Sequence, residues 1–235
     1  MRGRRRQTRK ATHPRKTIQT NVKNDYRIHY GGLPRKDLTR YLFVSVDPAI
    51  DHYAFSIERR QLDVSGKVLI TSLVIDSVAL NTTVVDNHSS LIGSLISYLQ
   101  QYIEYYKECS MFIVERQMEI NPKAMNIFYA TVSYFMTVCV QYNIQAAIVE
   151  PSAKLKGDML GYQKGQDIKD WAIDKGFELL TARRSGMSMF TTIGMKLDDP
   201  ADTLIQIEAL LIFLDYASIL TSNVLTAKFA IIVNR

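Results

Sequence analysis

The stretch YLFVSVD, residues 41–47, is a short run of strand-favouring apolar residues that ends in an acid. HYAFSIERR (52–60) then alternates between apolar and polar residues, and KVLITSLVID (67–76) is rich in β-branched residues. Because short connections separate the three runs, they predict an antiparallel meander of three strands.

After the meander, helical patterns alternate with short buried strands. Helices are predicted from apolar residues at helical spacing over 89–106 and 122–142, near 165–180 and after Pro200. SMFIVERQ (110–117) and IQAAIVEP (144–151) are predicted to be strands. This order predicts an α/β domain with a mixed five-stranded sheet, in which the meander is joined by parallel strands and helices cover both faces.

Positive charge is concentrated in a basic arm, residues 1–40, which precedes the predicted domain at 41–235. The arm holds 13 Lys and Arg against two acids, whereas the other 195 residues hold 16 Lys and Arg against 21 acids. Blocks of like charge are usually flexible interaction tails, often for nucleic acid, and the same composition serves as a nuclear or mitochondrial targeting signal. The sequence leaves both roles open.

Composition argues against several other classes of protein. The most apolar stretch, 204–220, carries Glu208 and Asp215, which predicts a buried helix and a soluble protein with no membrane contact. Cys109 and Cys139 lie in apolar surroundings without a CxxC pair, so we expect free buried thiols and neither a zinc site nor a disulfide scaffold.

Two acids stand at the carboxyl ends of predicted core strands. Asp47 closes LFVSVD and Glu115 closes MFIVE. In open α/β sheets, ligands bind in the crevice beyond these strand ends. Each acid alone is also consistent with a strand that simply meets solvent, and the following Arg116 and Gln117 suit either phosphate contacts or the orientation of carboxylates.

A third group of acids lies in KLDDPADTLIQ, residues 196–206. Asp199 fits a helix N-cap, Pro200 the first helical position and Asp202 the third, where a carboxylate favours the positive end of the helix. Capping alone explains these two acids but not Asp198. The spacing of three also places Asp199 and Asp202 on one helix face.

Four carboxylates from two strand ends and one helix start form an oxygen-rich set without histidine. Such ligands suit Mg²⁺ or Mn²⁺ rather than zinc. Two such ions can activate water and stabilise the leaving oxygen of a phosphodiester. The residues therefore indicate a metal-dependent phosphodiesterase as one interpretation of the acids.

These motifs resemble those of the RuvC-type Holliday junction resolvases of the RNase H-like superfamily. The sequence is most similar to the branch in poxviruses and other large DNA viruses, with kinship to fungal mitochondrial resolvases. The matching pieces run in order, namely VSVDPAIDHYAFSIE, FIVERQ, GYQKGQDIKDW and KLDDPADTL. The resemblance covers about residues 41–220 and leaves out the basic arm.

The resemblance implies an RNase H-like fold and a homodimer that resolves four-way DNA junctions by paired symmetric nicks, through hydrolysis with two Mg²⁺ per active site, for which Mn²⁺ substitutes. The implied metal ligands are Asp47, Glu115, Asp199 and Asp202, with Asp198 as an alternative to Asp199. The implied catalytic lysine is Lys164, with Lys154 and Lys156 as alternatives. Contacts with branched DNA are expected from Arg116, Gln117, Lys123, Lys154 and Lys156.

Two departures from the family affect the expected DNA contacts. Lys164 stands alone where poxvirus members have a basic cluster, and Met118, Glu119 and Ile120 follow where they have arginines. The alternatives are an RNase H-like nuclease for flaps, forks or RNA–DNA hybrids, or a DNA-binding protein without catalysis. The expected location is a site of DNA replication, in a viral factory or the nucleus, or the mitochondrion if the basic arm is a presequence.

Overall fold

The protein is described by a computed structural model over residues 25–80, 88–192 and 196–216. The strands within these ranges are β1 (Tyr26–Tyr30), β2 (Arg40–Asp47), β3 (Tyr53–Leu62), β4 (Val68–Val78), β5 (Met111–Val114) and β6 (Ala147–Pro151). The helices are α1 (His88–Gln100), α2 (Ile103–Tyr106), α3 (Pro122–Gln141), α4 (Lys154–Leu160), α5 (Ile168–Arg183), α6 (Met187–Thr192) and α7 (Asp198–Phe213).

The strands form one mixed sheet in the order β1-β6-β5-β2-β3-β4. β2, β3 and β4 pair as an antiparallel meander, while β2, β5 and β6 run parallel to one another. The predicted mixed α/β architecture is therefore confirmed. The predicted number of five strands is wrong, because β1 adds a sixth strand, antiparallel to β6.

The sixth strand comes from the segment that was predicted to be a basic arm. Tyr26–Tyr30 pairs with the last strand of the sheet, so the predicted domain boundary at residue 40 is wrong for this part of the chain. The short strand was missed because its pairing partner lies about 120 residues away in sequence, where local patterns give no signal. Residues 1–24 of the predicted arm lie outside the described residues.

Helices cover both faces of the sheet because the side chains of the central strands alternate between two cores. From β2, Val44 and Val46 pack in a core with residues of α1 and α3. Tyr41 and Phe43, from the same strand, pack in the opposite core with residues of α4 and α7. The continuous apolar run of β2 is therefore explained by burial on both faces.

A closed ring of ion pairs joins α7 to the sheet and to α5, and we call it the ion-pair ring. Arg60 Nε lies 2.6 Å from Glu58 Oε1, and Arg60 Nη2 lies 2.7 Å from Glu208 Oε2. Arg183 bonds the same two carboxylates, at 2.5 and 2.8 Å. All four side chains are fully buried. Two positive and two negative charges therefore balance inside the protein.

The prediction of a buried final helix is also confirmed, since α7 is buried along most of its length. No helix within the described ranges is long and apolar enough to cross a membrane. Cys109 and Cys139 are free and buried, as expected from their surroundings.

Candidate active site

Asp47 and Glu115 lie side by side because they end neighbouring parallel strands. Val46 of β2 is in register with Val114 of β5, so the next residue of each strand reaches the same edge of the sheet. The backbone N–H of Glu115 donates to the carbonyl oxygen of Val46 at 3.0 Å. The carboxyl ends of β2 and β5 therefore bring the two predicted strand-end acids together.

Helix α7 adds Asp199 and Asp202 to this edge. The helix packs against β2, where Gln206 Nε2 donates to Ser45 Oγ at 3.1 Å. This contact fixes the first turns of α7 near the ends of β2 and β5. We call Asp47, Glu115, Asp199 and Asp202 the acid cluster.

The predicted capping role of Asp199 is wrong. α7 begins at Asp198, Leu197 is the N-cap residue, and no side chain caps the helix by a hydrogen bond. The helix starts earlier than predicted, so Pro200 is the third helical residue and Asp202 the fifth. Proline is tolerated there because the first turn needs no backbone donor for the helix. The acids at the start of α7 therefore bond to lysines instead of to the helix backbone.

A buried lysine lies among the acids. Lys156 Nζ, from α4, is 2.5 Å from Glu115 Oε2 and 2.9 Å from Asp202 Oδ1. Lys156 is only 7% exposed. One ammonium therefore links the end of β5 to the first turns of α7.

The predicted catalytic lysine, Lys164, does not lie among the acids as Lys156 does. It is exposed in the loop after α4 and forms no ion pair with the acids that the structure describes. Of the three lysines considered from the sequence, only Lys156 is brought to the acid cluster; Lys154 is exposed and lies 3.5 Å from Asp158. The burial of Lys156 was missed because α4 is short and its partners lie 41 and 46 residues away.

Electrostatics within the acid cluster are unbalanced. The pKa of Asp47 is raised well above its ordinary value. Burial is the largest cause and the negative charge of Glu115 the second, whereas the ammonium of Lys156 lowers this pKa. Burial also raises the pKa of Glu115 despite the ion pair with Lys156. Burial alone would lower the pKa of Lys156, but the surrounding carboxylates, with Glu115 first, raise it. Glu115, Asp202 and Asp47 thus share one buried ammonium.

The structure separates the two acids that the sequence left as alternatives. Asp199 contributes to the raised pKa of both Asp47 and Glu115, and its Oδ2 lies 2.6 Å from Lys196 Nζ. Asp198 instead pairs with Lys169 of α5 at 3.2 Å. Asp199 therefore belongs with the acid cluster, and Asp198 faces α5.

The residues expected to contact DNA differ in their hydrogen-bond partners and in their exposure. Gln117 Nε2 donates to Asp47 Oδ1 at 3.2 Å, so it orients a carboxylate of the cluster. Arg116 Nε donates to the buried Glu150 at the end of β6, and the Arg116 side chain is partly exposed. Lys123 is exposed near the start of α3. Glu150, which the sequence reasoning did not single out, is thus the partner of a residue expected at the DNA.

The four side chains of the acid cluster are all carboxylates, which are the ligands that hard divalent cations prefer. The cluster also already surrounds one cationic group, the ammonium of Lys156. Among the described residues, no three His, Cys, Asp or Glu side chains stand close enough to hold one ion together. The ammonium of Lys156 lies between Glu115 and Asp202. Lys156 therefore links Glu115 and Asp202 to each other in this arrangement.

Comparisons with known proteins give similarities in structure only. No family model and no curated protein matches the chain. The chain is similar to the Thermus thermophilus RuvC structure at 12% identity, with a TM-score of 0.47 over 77% of this chain and 98% of that one. It is similar to the yeast mitochondrial Holliday junction resolvase Ydc2 at 12% identity, with a TM-score of 0.48 over 75% and 81% of the two chains. T. thermophilus RuvC in complex with a Holliday junction substrate matches at 12% identity and a TM-score of 0.45, over 73% and 95%.

Proposed function

We propose that this protein is a metal-dependent endonuclease that resolves four-way DNA junctions. One observation carries the proposal. Four carboxylates from β2, the end of β5 and the start of α7 converge at one edge of the sheet with a buried lysine among them. A cluster with excess negative charge that is largely removed from water is costly unless it serves to bind cations.

The acid cluster would hold two Mg²⁺, or Mn²⁺ in their place. When bound, these ions supply an activated water and stabilise the leaving oxygen of the phosphodiester. Gln117 orients Asp47 through its amide. The position of Asp199 among the acids, with Asp198 turned to Lys169, supports Asp199 as the ligand.

For the catalytic lysine we propose Lys156 in place of Lys164. An ammonium within hydrogen-bonding distance of two cluster acids would be in reach of a phosphate held by the cations that these acids would bind. There it would offset the negative charge that develops on the phosphate during cleavage. Lys164 remains exposed in its loop and is the natural comparison for Lys156.

The preference for four-way junctions and the viral branch rest on the motifs FIVERQ and KLDDPADTL, which resemble those of the resolvases. A homodimer would match a junction, because two equivalent strands are cut and a two-fold dimer presents two equivalent sites.

The test is cleavage by the purified protein with Mg²⁺ on synthetic four-way junctions, flaps and RNA–DNA hybrids. We expect paired symmetric nicks in the junctions, and at least about a 100-fold slower rate with Asp202→Asn, with DNA binding retained. Cleavage at the parental rate by Asp202→Asn would contradict the metal assignment. Preferred cleavage of flaps or hybrids would instead correct the substrate class.

Two lysine variants separate the catalytic candidates. Lys156→Met should slow junction cleavage by about 100-fold, whereas Lys164→Met should change it by less than about tenfold. Circular dichroism and thermal melting confirm that each variant is folded. The opposite ranking would return the catalytic role to Lys164.

A further inference from the structure

Glu150, at the end of β6, is a buried carboxylate that contacts three basic side chains. Glu150 Oε2 lies 2.6 Å from His29 Nε2, and Glu150 Oε1 lies 3.7 Å from Arg27 Nη1. Arg116 Nε donates to the same Oε1 atom. The side chain of Glu150 is only 3% exposed, so protein surrounds it almost entirely. We call these four residues the Glu150 cluster.

The Glu150 cluster carries an excess of positive charge. The guanidiniums of Arg27 and Arg116 are permanently charged, and they share a single carboxylate. The ion-pair ring, by contrast, matches two guanidiniums with two carboxylates. One guanidinium is enough to balance Glu150, so the charge of the second can be used to bind an anion.

The Glu150 cluster lies at the edge of the sheet that carries the acid cluster. Arg27 of β1 is in register with Glu150, one residue before Pro151 at the carboxyl end of β6. The backbone N–H of Arg116, the residue after Glu115, donates to the carbonyl oxygen of Pro151 at 3.0 Å. Because the parallel strands end together, the backbone of both residues after β5 is held at this edge.

The two clusters lie on opposite faces of the sheet at this edge. The ring of His29 lies 5.9 Å from that of Phe128 of α3, whereas Glu115 pairs with Lys156 of α4. Successive side chains of a strand point to opposite faces, so Glu115 and Arg116 diverge. β1 lies two strands from β5, a distance of about 10 Å. A nucleic-acid strand that crosses the edge, with a phosphate about every 3.4 Å of rise, can therefore reach both clusters.

Both guanidiniums of the Glu150 cluster can be reached from solvent. The side chain of Arg27 is 66% exposed and that of Arg116 is 25% exposed. A guanidinium presents its N–H groups in one plane and can donate two of them to a phosphate. Because Glu150 already restrains these side chains, less conformational entropy is lost when they bind a ligand.

We propose that the Glu150 cluster binds a backbone phosphate of the nucleic acid that lies on the acid cluster. Arg27 and Arg116 would contact the phosphate, and Glu150 would be a positioning residue. The inference rests on the proposed function, because it places one nucleic-acid strand at both clusters. It gives β1 a role besides completing the sheet, since this strand carries Arg27 to the catalytic edge.

The first experiment measures the charge contribution of Arg27. Binding of a four-way junction is titrated in EDTA over a range of salt concentrations, for the full chain and for Arg27→Gln. We expect the slope of log K against log salt to flatten by about 0.9, and the affinity near 100 mM salt to fall by about eightfold. Circular dichroism and thermal melting should show a folded variant, because Arg27 is largely exposed.

Arg40→Gln is the matched control. Arg40 begins β2 at the opposite edge of the sheet, and with Arg59 it shares one carboxylate, that of Glu108. Arg40 thus resembles Arg27 in charge, exposure and ion pairing, but not in position. Arg40→Gln should keep the parental slope. Equal flattening in both variants would mean that net charge alone sets the slope, and the inference would be overturned.

The second experiment locates the phosphate. Single phosphates of the junction are replaced by neutral methylphosphonates at successive positions, and binding is measured in EDTA. Replacing the contacted phosphate should weaken parental binding by about eightfold, whereas Arg27→Gln should be insensitive at that position. Because the clusters are about 10 Å apart, the position should lie within about five nucleotides of the parental nick in Mg²⁺. Arg40→Gln should keep the parental pattern.

The outcomes distinguish this inference from the proposed function. If the parent nicks junctions but Arg27→Gln keeps the parental slope, the inference is overturned and the nuclease stands. A lower melting temperature of Arg27→Gln with an unchanged slope would mean that Arg27 only fastens β1 to the sheet. If Arg27→Gln flattens the slope but the parent cuts no nucleic acid, the phosphate site stands and the nuclease fails. If the parent binds no DNA, both proposals are overturned.

Discussion

Helix α7 contributes carboxylates to two buried groups of charges, of which one is electrically balanced and the other is not. In the ion-pair ring, two guanidiniums meet two carboxylates, and every side chain is fully buried. In the acid cluster, a single buried ammonium from Lys156 lies among four carboxylates. The same helix thus supplies Glu208 to a balanced group and Asp199 and Asp202 to an unbalanced one.

The pKa shifts of the two groups have opposite signs for this reason. Burial acts to raise the pKa of Glu208, but Arg60 and Arg183 together hold it below its ordinary value. In the acid cluster, burial and the neighbouring acids outweigh Lys156, and the pKa values of Asp47 and Glu115 are raised. In a balanced group, the buried carboxylates are stabilised in their ionised form by their partners. In an unbalanced group, a further cation is needed to stabilise that form.

The largest expected effect comes from unbalancing the ion-pair ring. Arg60→Met leaves two buried carboxylates with one guanidinium and should reduce the free energy of unfolding by about 3–5 kcal/mol. Urea denaturation followed by circular dichroism measures the loss. The matched control is Arg59→Met, the neighbouring residue on β3, which is part-exposed and 3.6 Å from Glu108. Arg59→Met should lower the free energy of unfolding by less than about 1 kcal/mol. Equal losses for the two variants would contradict the idea that unbalancing the ion-pair ring is what destabilises the protein.

The next largest effect is expected when Mg²⁺ is added to the acid cluster. Mg²⁺ at a hundred times its dissociation constant should raise the free energy of unfolding by about 2.7 kcal/mol, since it binds only the folded protein. Asp199→Asn should weaken this stabilisation strongly. Asp198→Asn, the adjacent acid that pairs with Lys169, is the control and should retain most of it. The reverse ranking in thermal melts with and without Mg²⁺ would make Asp198 the ligand.

Much of the fold was predictable because its signals are local. The apolar run of β2, the alternation of β3, the β-branched run of β4 and the helical spacing in α1, α3 and α7 are patterns within single segments. The meeting of Asp47 and Glu115 was predictable too, because parallel strands place their carboxyl ends at one edge. The strand β1 gave no such signal, since its side chains are partly exposed and its pairing partner is distant in sequence.

In the site, too, features within one segment could be predicted from the sequence, whereas contacts between distant segments could not. The acids were recognised because each lies at the end of a recognisable strand or at the start of a helix. The burial of Lys156 could not be found in this way, because it depends on Glu115 and Asp202 approaching from two other elements. Likewise, nothing in ERQ indicates the buried Glu150 that accepts a hydrogen bond from Arg116.

The smallest effect, and the one most specific to the acid cluster, is the pH dependence of Asp47→Asn in EDTA. A carboxyl whose pKa is raised by folding stays protonated where its unfolded counterpart, near pKa 3.9, is ionised. Its presence therefore costs stability as the pH rises above about 4, and the cost is fully felt above the raised folded pKa. Asparagine cannot ionise, so Asp47→Asn should be more stable than the parent at pH 7, by about 1 kcal/mol. The difference should vanish towards pH 4.

Asp63→Asn provides a control of opposite sign in the same titration. Asp63 is exposed in the β3–β4 turn, and its pKa is lowered by the Ser65 hydroxyl and by the backbone N–H of Lys67. A lowered pKa means that the ionised form stabilises the fold above about pH 4, so this variant should be less stable than the parent at pH 7 and equal to it in acid. If Asp47→Asn behaves like Asp63→Asn in unfolding measurements from pH 4 to 8, then Lys156 already balances the acid cluster. The contrast with the ion-pair ring would then disappear, and with it the electrostatic case for a bound metal.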